Sequence, residues 1–160
     1  MNTPLPLNQA CLLLGSNIDP QANLPRAITL LRQCVEVTAV SLTWETPAIG
    51  AAGPNFWNVA VLVHTHLDPE QLKAEVIRPL EARLGRQRSS DKYAPRTIDI
   101  DLVAWDCQVT DPNVWRYAYA AVPVAEVLPC DTRSALGEPL ALAALRLAQH
   151  TPIHARAEIL

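Results

Sequence analysis

One twelve-residue stretch constrains this chain more than any other: Lys92-Tyr93-Ala94-Pro95-Arg96-Thr97-Ile98-Asp99-Ile100-Asp101-Leu102-Val103. Its alternation is that of a β-strand. Ile98, Ile100 and Leu102 point to one face, and Thr97, Asp99 and Asp101 to the other. The apolar set requires a core on its side, so the strand must belong to a sheet. The two carboxylates then sit side by side just after an arginine. Close ionised acids in a half-buried place repel each other unless a cation lies between them. Magnesium takes carboxylate oxygens and leaves positions for phosphate oxygens. An Asp-x-Asp strand with arginines nearby therefore suits magnesium-dependent phosphoryl transfer. The plainer reading is the solvated face of an edge strand, which the same alternation allows.

The rest of the chain reads as elements that could carry such a strand. Residues 9–15 form a buried strand ended by Gly15-Ser16-Asn17. Asn23 is the expected helix cap, with Pro25 in the first turn and Leu24, Ala27, Ile28 and Leu31 as one apolar stripe. A second strand is expected over about Glu36 to Trp44, followed by a proline- and glycine-broken loop through Pro54. Residues 56–66 make the clearest strand. Asp68-Pro69 starts a helix that lines up Leu72, Val76, Leu80 and Leu84 and stops at Gly85. Pro79 should kink it. Residues 122–129 are expected to form a short helix and 138–149 a longer one. The order predicts one domain over residues 1–160 of the α+β class: a ferredoxin-like α/β sandwich, an antiparallel sheet with helices packed mainly on one face.

Composition narrows the function classes. A chain of 160 residues, 49% hydrophobic and 18% charged, holds a real core and is not a disordered tail. No apolar run has membrane-span length and residues 1–8 lack a signal-peptide pattern, so the cytoplasm is the expected location. Cys11, Cys34, Cys107 and Cys130 are scattered, which predicts reduced, buried thiols. A net charge of −3 argues against nucleic acid as a partner. Yet Arg78, Arg83, Arg86, Arg88, Lys92 and Arg96 put six of the 13 basic residues within positions 78–96. Such a cluster on an acidic protein predicts a site for a small polyanion such as a nucleoside triphosphate. Arg78 and Arg83 are read as merely solvating their helix. His64 and His66 share a strand face but lack a third ligand, so they are read as a surface or half-buried pair rather than a metal site.

The stretch from Lys92 to Val103 resembles the signature of the 6-hydroxymethyl-7,8-dihydropterin pyrophosphokinase family, matching it at every position. Leu14-Gly15-Ser16-Asn17, Glu45-Thr46-Pro47 with Phe56-Trp57-Asn58, and Glu81 with Leu84-Gly85-Arg86-Gln87-Arg88 follow in family order. The resemblance covers about residues 10–106 well and the remainder poorly. It implies transfer of pyrophosphate from ATP to a pterin hydroxymethyl group, with two magnesium ions held by Asp99 and Asp101. Arg86, Arg96, Asp99 and Asp101 would be catalytic. Glu81, Arg88, Arg96, Leu102 and Arg116 would face ATP. The pterin would meet Thr46, Pro47, Ile49, Phe56, Asn58 and, as second aromatic, Tyr119. Pterin and ATP are the implied partners, with no membrane, and a monomer is expected.

Departures cluster after Asp106. The connection to Val122 is several residues shorter than the family's and contains no histidine, and in an ungapped reading Tyr117 occupies the family's arginine position while Arg116 falls one place off. Two other classes are weighed, and only the first is kept. A relative that binds pterin or nucleotide without turnover is favoured only by that short connection. A ferredoxin-like RNA-binding module would need stacking aromatics at spaced strand positions, and the chain has one Phe and three Tyr.

Overall fold

The structure, a computed structural model, describes residues 3–129 and 131–156. Its first strand, β1 (Asn8–Ser16), leads into helix α1 (Pro20–Cys34), then β2 (Glu36–Val40), β3 (Trp44–Thr46) and β4 (Phe56–Thr65). A composite helix follows: α2 (Pro69–Leu72), a π-turn (Lys73–Ile77) and α3 (Arg78–Arg83). Then come β5 (Asp99–Trp105), β6 (Gln108–Val109), a 3₁₀ turn (Pro112–Trp115), α4 (Ala118–Val127), α5 (Leu140–Ala148) and β7 (His154–Ala155). The strands run in the order β6-β5-β1-β4-β3-β7, with β2 also on β4 and every pairing antiparallel. Stripped of its short edges this is the ferredoxin-like order, with β1 central.

Alternation along β1 divides the core. Leu12 and Leu14 pack with Val59, Val61 and Val63 of β4 under α1 and the composite helix. Cys11 and Leu13 face the other way, with Ala60, Leu62 and Val103, and there the C-terminal helices α4 and α5 close the sheet. The two helices of the ferredoxin-like unit thus share one face as expected, and the C-terminal pair adds cover to part of the opposite face. A strand buried on both sides reads as an unbroken apolar run, which Cys11-Leu12-Leu13-Leu14 is.

Four local expectations are corrected. Helix α1 begins at Pro20, one turn before Asn23, because Asp19 in the left-handed conformation (φ 44°) turns the chain and places Pro20 at the first helical position. Asn23 lies inside the helix and donates to the Ile18 carbonyl at 2.7 Å, and Pro25 falls in the second turn. The second strand is two, because the Ser41 hydroxyl takes the Ala60 N–H at 2.8 Å and ends the ladder there. Helix α4 starts at Ala118, four residues early. Of the cysteines, Cys11 is buried and its thiol pushed up to about 12 by desolvation, whereas Cys34 and Cys107 are free but exposed. Cys130 lies outside the described residues.

Pro79 follows just after the π-turn within the composite helix. Proline has no N–H to give the carbonyl four residues back, and its ring crowds that carbonyl. The carbonyl in question, that of Glu75, lies within the π-turn. Arg78 donates to Lys73 O, five residues back, and the widened turn leaves room for the ring. Leu72 and Val76 before it and Leu80 and Leu84 after it all stay in the core.

Candidate functional site

Strand register builds the site. Gly15 of β1 lies opposite Asn58 of β4 on one side and Asp99 of β5 on the other, and Leu13 lies opposite Asp101. Thr46 of β3 pairs with Phe56. Directly opposed residues share a face, so Thr46, Phe56, Asn58, Asp99 and Asp101 rise from the face that α4 and α5 leave open at this end. Gly15 is the floor between Asn58 and Asp99. A Cβ there would come within 2.8 Å of Asn58 Oδ1, so the absent side chain is what lets Asn58 lie flat.

Two cavities open from this floor. One, of about 370 Å³, is lined by Thr46, Pro47, Ile49, Phe56, Asn58, Tyr119 and the acids. Asn58 is 4% exposed, and its Nδ2 has no hydrogen-bond partner among the described residues. A buried amide left without a partner costs about 1–3 kcal/mol, so this one is poised for a ligand acceptor. The second cavity, about 540 Å³, has Lys73, Arg78, Arg86 and Arg88 on its walls with Glu81, Leu102 and Asp111. Asp99 and Asp101 line both cavities and are the boundary between them.

The cations are held by acids. Glu81, 4% exposed, accepts Ile100 N–H at 2.9 Å and Arg86 at 2.5 Å, with Arg88 at 3.7 Å. Arg86 also donates to Asp99 Oδ1, and Arg96 to Asp99 Oδ2. Burial works against the Arg86 charge, but Asp99 and Glu81 outweigh it and raise its pKa. Arg96 is itself placed from the first loop. Asn17 Oδ1 takes its N–H at 2.7 Å, while Arg96 O receives Asn17 N at 3.1 Å. Asp101, by contrast, accepts no hydrogen bond among the described residues. It is open to water in the cleft, yet desolvation by the surrounding protein, with Asp99 and Asp111 nearby, pushes its pKa up to about 7. A dication would relieve that repulsion. Two carboxylates beside a phosphate-sized cationic space are also the donor set magnesium uses, since it completes its shell with water and phosphate oxygens. The residues fit such an ion.

Most of the expected residues therefore converge. Arg116 does not: it is exposed and lines neither cavity, because the 3₁₀ turn ends on it and the chain then extends through Tyr117. Tyr117 and Asn113 line the first cavity instead. Arg78, expected only to solvate its helix, lines the second. His64 and His66 sit far from this end of the sheet: His64 is half-buried beside Gln9 and Glu36, and His66 bonds Pro6 O at 3.0 Å. No cluster of three metal-ligating side chains occurs among the described residues.

Fold and site together define a class: a ferredoxin-like α+β domain whose open sheet end joins an aromatic cavity to a cationic one across two acids. The model of the 7,8-dihydro-6-hydroxymethylpterin-pyrophosphokinase family matches residues 11–129. The chain belongs to that family. It is 32% identical over 127 residues to the 2-amino-4-hydroxy-6-hydroxymethyldihydropteridine pyrophosphokinase of Synechocystis, covering 72% of this chain and 64% of that one. With the Helicobacter pylori protein of the same name, identity is 34% over 111 residues, covering 66% and 68%. A folate synthesis bifunctional protein of Arabidopsis thaliana is 24% identical over 131 residues, 75% of this chain but only 27% of its own length. In fold, wild-type Plasmodium falciparum HPPK-DHPS superposes with a TM-score of 0.71 at 11% identity, over 91% of this chain and 42% of that one.

Proposed function

We propose that this chain transfers pyrophosphate from ATP to the hydroxymethyl group of 6-hydroxymethyl-7,8-dihydropterin, releasing AMP, as a monomer in the cytoplasm and as a step of folate synthesis. The observation that carries the reading is the sharing of Asp99 and Asp101 by both cavities. A transfer between two bound molecules needs its charge-handling groups where the two meet.

The first cavity suits the pterin. The Asn58 amide offers a donor and an acceptor to a flat heterocycle bearing both, Phe56 and Tyr119 offer ring faces, and Thr46, Pro47 and Ile49 bring backbone groups to its edge. The second suits ATP, with Leu102 on the base side, Arg86 and Arg88 on the phosphates and Glu81 setting the arginines. Asp99 and Asp101 would hold two magnesium ions, which when bound would neutralise phosphate charge. Arg86 and Arg96, now on Asp99, supply forked donors that can pass to the transferred phosphates. The hydroxymethyl oxygen attacks the β-phosphorus, the bond from that phosphorus to the AMP oxygen breaks so that AMP leaves, and the hydroxyl proton passes to water. Membership of the family, and the presence of Asp99 and Asp101 together with Arg86, Arg88 and Arg96 at the two cavities, favour turnover over a binding module. No helix among the described residues is long and apolar enough to cross a membrane.

Calorimetry with the pterin and with a non-hydrolysable ATP analogue tests the assignment of the cavities. Gly15→Ala is expected to weaken the pterin by ~1–3 kcal/mol, the cost of overpacking a fitted site, and to leave the analogue's affinity unchanged. Arg78→Ala is expected to do the reverse, weakening the analogue by ~0.5–1 kcal/mol, as for an exposed charge pair. Equal losses of both ligands in either variant would contradict two separate cavities.

A further inference from the structure

The connection between β6 and α4 builds something that no match to the family's signature assigns. Asp111 caps the 3₁₀ turn by accepting Asn113 N–H at 2.9 Å, and Tyr117 N–H then donates to Asn113 O at 3.0 Å. Tyr117 itself is extended (φ −129°, ψ 135°), and its carbonyl receives the N–H groups of Ala120 and Ala121 as α4 begins. Residues two apart on a helix do not face each other. Here the first lies just before the helix and the second inside it, so the rings of Tyr117 and Tyr119 meet, centroids 5.5 Å apart and planes 19° from parallel. Ala118, Ala120 and Ala121 are all buried. Small side chains on that surface let α4 seat closely on its neighbours, and the two rings are left on the cavity side. Both line the cavity that holds Phe56 and Asn58.

We propose that Tyr117 is a positioning residue for the heterocyclic substrate: stacked on Tyr119, it holds that ring as a wall for a flat, conjugated ligand. The inference rests on the assignment of this cavity to the pterin. A phenol ring on Cβ turns about two torsions, and a lone ring at a cavity mouth must be ordered when ligand binds. A stacked neighbour orders it beforehand, which lowers the entropic cost of binding. Tyr119 stays an uncharged phenol throughout the neutral range, its pKa pushed up to about 12 by burial and by Asp111 and Asp101, so that ring carries no charge to desolvate. Because Tyr117 acts through Tyr119, its contribution exists only while Tyr119 is present.

A double-mutant cycle on the full chain reads this directly, by calorimetry with 6-hydroxymethyl-7,8-dihydropterin and, separately, a non-hydrolysable ATP analogue. Tyr117→Ala is expected to weaken pterin binding roughly two- to tenfold, the worth of an aromatic pair, with the analogue's affinity and the melting temperature unchanged. Tyr117→Phe should bind as the unaltered chain does. In a Tyr119→Ala background, Tyr117→Ala should cost nothing further. Unchanged pterin affinity in Tyr117→Ala, or the same loss with Tyr119 already removed, would overturn the inference. Failure of the unaltered chain to bind the pterin at all would instead overturn the functional reading, and this inference with it.

Discussion

Asp101→Asn is expected to lower pterin-dependent turnover by roughly a thousandfold or more, the scale of losing a principal electrostatic group from such a site, while leaving the fold at least as stable as before at neutral pH and above. The substitution keeps the shape of the side chain and removes only its charge. That charge makes no hydrogen bond among the described residues and is disfavoured by desolvation and by its neighbours Asp99 and Asp111. A group that the fold would rather have neutral is retained for what it does, not for what it stabilises. Asp99→Asn is the informative contrast. It should abolish turnover equally, but also loosen the loop before β5, because Asp99 holds both Arg86 and Arg96. Turnover and denaturant midpoints of both variants check this. Asp101→Asn retaining turnover within tenfold would remove that acid from the mechanism.

Glu81→Ala is expected to be the most destabilising change in the site, by ~3–5 kcal/mol, the cost of breaking a buried charge pair. The strand β5 has β1 on one side, but β6 pairs only with Ala104 and Trp105. At Ile100 no strand among the described residues covers the outer edge, and the Glu81 carboxylate takes the N–H in its place. Removing it orphans that N–H and leaves Arg86 with Asp99 alone. Glu81→Gln keeps an oxygen for Ile100 and should lose only ~1–2 kcal/mol, the worth of the charge assistance. Urea denaturation separates the two. An alanine variant within about 1 kcal/mol of the unaltered chain would show that Glu81 is no structural tie.

These two residues mark how far the sequence could be read. Asp99 and Asp101 were legible because their chemistry is contiguous: alternation alone puts both on one face, beside an arginine three residues away. Glu81 was legible as a family match, but its bond to Ile100 joins a helix to a strand 19 positions on, and no local pattern encodes it. Tyr117 and Arg116 exchanged places for a similar reason. Which of two adjacent side chains faces the cavity depends on where the 3₁₀ turn ends and α4 begins, and element boundaries are the weakest part of any sequence reading. Asp19-Pro20 carries the same signal as Asp68-Pro69 and could have placed the start of α1. The Asp19 side chain, however, forms no cap, whereas Asp68 closes a capping box with Gln71. The two-residue strands β6 and β7 are too short for any alternation. Pro79, unexplained as sequence, becomes intelligible once the π-turn before it is seen.

The most direct test of the central claim is AMP formation from ATP and magnesium, with and without 6-hydroxymethyl-7,8-dihydropterin. The account predicts AMP release that depends on the pterin and is matched, mole for mole, by the pterin diphosphate. Pterin binding without AMP would contradict it and leave a binding module in which the acids and arginines no longer act.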